Sequence, residues 1–216
     1  MTDRLTPSIY KGLYIGDGLV GGSYQDQNFK TIADMLEVLT PPEQGYVWDD
    51  ARSPGLAVEK GASAPDLIDF KGDSDVQLYG FDGANTREVL KTTLQLPHGY
   101  KAGTAVRPHI HWCPSTGDAG GVVWQIKYSW ASVGTVFPDL TLAVGVADPA
   151  EEAWMHQIRG FDEIPGDEKK ESSQLVIAII RDPSHGSDDY GADAGFIEFD
   201  VHFQREKDGT VTEYPT

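Results

Sequence analysis

The sequence predicts an all-β protein: an antiparallel β-sandwich of jelly-roll type, preceded by an extended N-terminal arm and one short helix. Three observations carry this. Two alternating apolar runs, over residues 106–112 and 122–130, flank a segment rich in Pro, Ser, Gly and Asp. Several more short alternating segments separated by turn residues follow Gly45. A single stretch, over residues 28–39, carries a helical period. Period-2 alternation broken by turns is the pattern of half-buried strands, and many short strands with frequent turns fold as sandwiches or barrels.

Residues 1–22 are polar, and Gly12, Gly16, Gly18, Gly21 and Gly22 punctuate Tyr10, Leu13, Tyr14 and Ile15. So many breakers among so few apolar residues predict an extended arm that cannot build a core. Gly16, Gly18 and Gly21 match G-x-G-x-x-G formally, but no strand precedes them and no helix follows, so the dinucleotide reading has no support. Residues 28–39 read as a helix. Asn28 is a suitable cap, Phe29, Ile32, Ala33, Leu36 and Leu39 form one stripe, and Pro41 and Pro42 end it. Residues 1–44 are therefore predicted to anchor or assemble, with Tyr10, Leu13, Tyr14, Ile15, Phe29, Ile32, Leu36 and Leu39 as partner contacts. Residues 45–216 form the predicted sandwich domain.

Within that domain, strands are predicted over 46–48, 76–81, 89–96, 106–112, 122–130, 140–146, 154–158, 175–180 and 196–204. Residues 46–48 end at Asp49-Asp50 and a Ser53-Pro54-Gly55 break. Residues 175–180 are apolar on both faces, which predicts a strand covered on both sides. In the last strand Ile197, Phe199, Val201 and Phe203 are predicted inward, and Glu198, Asp200, His202 and Gln204 outward. The centre of the core is assigned to the two middle strands. Trp112, Trp124, Tyr128 and Trp130 fall on their inward faces, and each aromatic side chain can bury about 150–250 Å².

The chain has 216 residues, enough to bury a core without staples, and its one cysteine, Cys113, excludes an intrachain disulfide. Residues 1–22 lack a signal pattern, and no run is apolar enough to span a bilayer. These features predict a soluble protein made in a reducing cytosol. The net charge is −17, from 34 acidic and 17 basic residues. A surface so acidic repels phosphate backbones and anionic lipid, so neither nucleic acid nor membrane is an expected partner.

His109 and His111 alternate with Ile110, which places two imidazoles on one strand face about 7 Å apart. That is the beginning of a metal site of the kind cupins build, where a carboxylate and a third histidine join the pair. No glutamate follows at short spacing. Asp200 and His202, outward on the last strand, would complete a site only if that strand were adjacent. These four residues are candidates, but no metal or other cofactor is expected. Cys113 shares the face of the two histidines, but nothing supports a Cys-His nucleophile. The loop from Asp182 to Gly195, with Asp188, Asp189 and Asp193, is acidic enough for weak calcium binding but lacks the EF-hand order. No catalytic residue is assigned.

Three runs together suggest a family. They are Val106-Arg107-Pro108-His109-Ile110-His111-Trp112, then the aromatic strand from Gly121 to Trp130, then Tyr190-Gly191-Ala192-Asp193 with Glu198-Phe199-Asp200-Val201-His202. In order and spacing this pattern resembles a family of poorly characterised bacteriophage and prophage proteins encoded among virion structural genes. The resemblance spans roughly residues 45–205 and leaves out the arm. It implies a non-enzymatic virion protein made in the bacterial cytoplasm: a head decoration, cement or head-fibre protein. Such a protein would assemble as a homotrimer against the major capsid protein or other virion proteins. The alternatives are a tail-associated receptor- or carbohydrate-binding protein and a cupin-like metal-binding protein.

Overall fold

A computed structural model of the chain describes residues 47–55, 58–84 and 87–209. They belong to one compact unit, Tyr46–Thr216. The expected arm and helix lie outside the described residues, and with them Tyr10, Leu13, Tyr14, Ile15, Phe29, Ile32, Leu36 and Leu39.

In chain order the strands are β1 (Val47–Pro54), β2 (Glu59–Lys60), β3 (Asp66–Phe70), β4 (Asp73–Phe81), β5 (Glu88–Gln95), β6 (Arg107–Pro114), β7 (Gly121–Val122), β8 (Trp124–Ala131), β9 (Thr141–Val144), β10 (Asp148–Pro149), β11 (Gln157–Gly160), β12 (Gln174–Arg181) and β13 (Ala194–Arg205). Every pairing is antiparallel. One sheet runs β11-β6-β13-β4-β3, and the other β2-β5-β12-β8-β9. Strands β7 and β10 form a small ribbon of their own.

The pairings nest. Strand β4 pairs with β13, β5 with β12, β6 with β11, and β8 with β9. The chain is thus a long hairpin with its tip between β8 and β9, rolled so that its halves fall into two facing sheets. That is jelly-roll connectivity, and it confirms the predicted class. Strands β6 and β8, which the sequence places at the centre, belong to opposite sheets and face each other. Trp112 and Trp124 meet edge to face across the gap, 6.0 Å between centroids, and Phe81 adds a second such contact to Trp124 at 5.0 Å. These rings, with Phe196, Phe199, Phe203, Ile110, Leu90 and Ile179, are fully buried.

Four details differ from the sequence expectation. Strand β1 runs on through Asp49-Asp50 and Ser53-Pro54 and ends only at Pro54. Proline is tolerated there because it closes the strand and owes the ladder no further donor. Strand β3 was not anticipated. It joins β4 through Lys71 and Gly72, whose φ values of 54° and 80° form a two-residue hairpin turn. Strand β12 is covered on both sides only toward its end: on its outer face Val176 is 41% exposed, whereas Ile180 is fully buried.

The fourth difference is in β13. A bulge between Phe196 and Glu198 shifts the register, so Phe196 and Phe199 both enter the core and Ile197 is only half-buried. The bulge also marks a change of partner. Before it, β13 pairs with β4; after it, with β1. Gly55 sits at that junction, where any Cβ would collide with the backbone carbonyl of Ile197. Among the described residues no helix is long and apolar enough to cross a membrane.

Candidate functional site

The site is built on three adjacent strands of the first sheet, on the face turned away from the sandwich core. Alternation on β6 sends Pro108, Ile110 and Trp112 inward and Arg107, His109 and His111 outward. On β13, Phe199, Val201 and Phe203 go inward, leaving Glu198, Asp200 and His202 outward. The register then sets Asp200 opposite His109, Glu198 opposite His111, and His202 opposite Arg107. On the other side of β13, strand β1 contributes Asp50 beside His202 and Arg52 beside Asp200. The four metal candidates, His109, His111, Asp200 and His202, therefore converge. They line a surface depression of about 520 Å³ with Asp50, Arg52, Arg107, Ile158, Phe161 and Glu198.

Asp200 is the centre. Its side chain is only 3% exposed, and Nε2 of His109 lies 2.6 Å from its Oδ1. This short contact pairs the imidazole with the carboxylate. Nε2 of His111 stands 3.5 Å from Oδ2 of Asp200 and is buried without a hydrogen-bond partner. The other nitrogen of His111, Nδ1, meets Nε2 of His156 at 2.7 Å, and the two rings stack. The His202 ring packs against His109 with centroids 4.3 Å apart, and its Nε2 lies 3.0 Å from Oδ1 of Asp50. Glu198 is engaged elsewhere, gripped at 2.6 and 2.8 Å by the guanidinium of Arg52.

Electrostatics separates the two β6 histidines. Burial works against an imidazolium at His109, but the Asp200 carboxylate beside it outweighs burial and the pKa is raised. At His111 burial prevails over Asp200, helped by the neighbouring His109, and the pKa is lowered. His111 is thus the more readily neutral of the pair.

Two sets of ligand atoms lie within 4.8 Å of one another: His109, Asp200 and His202 in one, and His111, Glu198 and Asp200 in the other. Imidazole nitrogens with a carboxylate oxygen suit borderline divalent ions such as zinc, and do not suit calcium or magnesium. The cupin comparison fails in one respect: these groups lie on the outer face of the sheet, not between the two sheets.

The other sequence candidates are placed differently. Cys113 is buried and its thiol is pushed up to about 11 by desolvation, so it holds no thiolate at neutral pH. The acidic loop after β12 spends three of its four carboxylates internally. Asp188 bonds Arg181 and the backbone of Val123, Asp189 accepts from Gly121, and Asp182 accepts from Ser184. Asp50, Arg52 and His156 belong to the site but were not anticipated. Glu198 had a legible signal in the outward alternation of Glu198, Asp200 and His202. His156 had none, because it lies before β11.

No family model matches the chain, and no curated protein matches it. Among solved structures it is similar to the CBM36-1 domain of a multidomain xylanase from the hindgut metagenome of Trinervitermes trinervoides, with 9% identity, 76% of this chain and 100% of that one covered, and a TM-score of 0.33. It is also similar to TmCBM61 in complex with β-1,4-galactotriose, at 12% identity, 74% and 88% coverage and a TM-score of 0.31. A third is the structure of infectious bursal disease virus Gx strain, at 8% identity, 72% and 32% coverage and a TM-score of 0.35. The jelly-roll assignment rests on the strand pairing, and the site on its own residues.

Proposed function

We propose that this chain is a non-enzymatic structural protein of a bacteriophage particle, a head decoration or head-fibre protein that assembles as a homotrimer. The observation that carries the reading is an apolar band at the tip of the rolled hairpin. Val133, Val136, Phe137, Leu140, Leu142, Val144 and Val146 are all exposed, Val136 at 92%. They surround β9, which pairs with β8 alone and so ends its sheet with an open edge. An apolar edge strand left in water, even one of four residues, is a liability that single-chain proteins cover or charge. Here the band lies on a chain of net charge −17, which keeps it soluble until the band is covered. A subunit interface is the economical occupant. The resemblance of the sequence to virion proteins supplies the setting.

Sedimentation and multi-angle light scattering on the full chain test this reading. A trimer at micromolar concentration is the expected result. A monomer that stays monomeric to millimolar concentration overturns it, and so does turnover of any substrate at the depression on the opposite sheet.

A further inference from the structure

We infer that the outer face of the first sheet holds one divalent transition-metal ion, with zinc as the fitting ion, bound by His109 and Asp200 from below and His202 from the side. The inference is independent of self-assembly.

Four observations support it. The first is a buried carboxylate set among imidazoles: Asp200 is almost fully buried, with Nε2 of His109 2.6 Å from its Oδ1 and Nε2 of His111 3.5 Å from its Oδ2. An ionised carboxylate removed from water needs a counter-charge or donors. The guanidinium opposite it, Arg52, is committed to Glu198. The second is the way His109 meets Asp200. Nε2 of His109 and Oδ1 of Asp200 lie side by side, so an ion that replaces the imidazole proton meets both atoms together.

The third observation is support around the ligands. Metal-bound histidines pass their remaining ring nitrogen to a carboxylate or carbonyl, which fixes orientation. His202 gives Nε2 to Asp50, leaving Nδ1 for an ion, and His109 bonds the backbone of Arg107. The fourth is space. Gly160 on β11 lies directly opposite His109, and nothing occupies the 4 Å around the place its Cβ would take. A water or an exogenous ligand can reach the fourth position there.

The ligand atoms span up to 4.8 Å, against about 3.3 Å between the ligands of a tetrahedral zinc ion. Side-chain rotations must draw the set together and open the 2.6 Å His109–Asp200 contact to that spacing. The second set is weaker, since Glu198 already carries a two-bond ion pair with Arg52. His111 therefore stands beside the site, its Nδ1 held by His156, and does not complete a second one.

The test is calorimetric titration of the metal-stripped full chain with zinc sulfate, repeated with cobalt chloride read by visible absorption. One equivalent of zinc per chain is expected, with a cobalt spectrum of four- or five-coordinate nitrogen and oxygen ligation. Asp200→Asn and His202→Gln are expected to weaken zinc by more than about 100-fold, and Asp50→Asn by about 10- to 100-fold. His202 and Asp50 are half-exposed, so their variants report even if Asp200→Asn fails to fold. His111→Gln is expected to change affinity less than about 3-fold, as a neighbour with its own partner. No stoichiometric zinc at micromolar concentration overturns the inference and leaves a His109–Asp200 ion pair. Unchanged affinity in His202→Gln also overturns it, as do two equivalents of zinc per chain.

Discussion

Arg181 and Asp188 meet as a buried fork: Nη2 lies 2.8 Å from Oδ1 and Nε 3.2 Å from Oδ2, with neither side chain reaching solvent. The same guanidinium donates to the carbonyls of Phe81, Ala192 and Tyr190. Arg181 closes β12; four of the five bonds hold the 182–193 loop, and the fifth, to Phe81, ties it to β4. Arg181→Met strands a buried carboxylate and three acceptors, so a loss of about 3–5 kcal/mol is expected in urea unfolding. Arg181→Met combined with Asp188→Leu should recover part of it, because the unpaired charge is gone.

At the other end of the same neighbourhood, Glu88 is buried. Burial raises its pKa, and the nearby Asp82, Asp193 and Asp66 carboxylates add to the rise, against a hydrogen bond from the Asp82 backbone. A raised folded pKa favours the protonated form in the fold. The stability it gives is present below the unfolded pKa and lost as pH rises through the folded value. Glu88→Gln keeps an acceptor for Asp82 and removes the charge. The variant should exceed the wild type in urea midpoint at pH 7 and lose that advantage at pH 4.

The Cys113 thiol should be silent in the native protein. Its pKa, pushed from 9.0 to about 11 by burial, leaves almost no thiolate at pH 8. A thiol-reactive disulfide reagent should give no colour with folded protein at pH 8 and one equivalent in guanidinium chloride. By the same linkage, the fold loses the contribution of the buried thiol as pH rises through about 11.

Trp124 bridges the two sheets between Phe81 and Trp112. Truncation to alanine empties the middle of the core, and a loss of about 3–5 kcal/mol is expected in chemical unfolding.

On β9, Leu142 and Val144 are about half exposed. Charging both, as Leu142→Lys and Val144→Lys, should change folding stability by no more than about 0.5 kcal/mol each. The same pair should dissociate the oligomer in sedimentation. A trimer that survives both substitutions would move the interface away from this edge.

Much of the fold was legible because a strand writes its burial in a two-residue period. Ile110 and Trp112 against His109 and His111 read correctly from the alternation alone, as did Phe199 and Val201 against Asp200 and His202. Where local chemistry departs from that period, the reading fails. The bulge at Ile197 moved one residue out of the inward row, and Lys71-Gly72 made a hairpin from a stretch with no strong alternation. Asp50 reads as a turn residue, because a paired Asp-Asp is far commoner in loops than in a strand.

The sequence by itself determined the class, the inward and outward faces, and the presence of three histidines and an aspartate on outward positions of two strands. It could not determine that those strands are neighbours. Some ninety residues separate His109 from Asp200, and only the rolling of the long hairpin brings β13 between β6 and β1. The tertiary structure therefore decided the site. Register set Asp200 opposite His109, β1 supplied Asp50 and Arg52, and surrounding side chains removed the carboxylate from water. Strand pairing across such a distance is fixed by the packing of both sheets at once, and no local pattern records it.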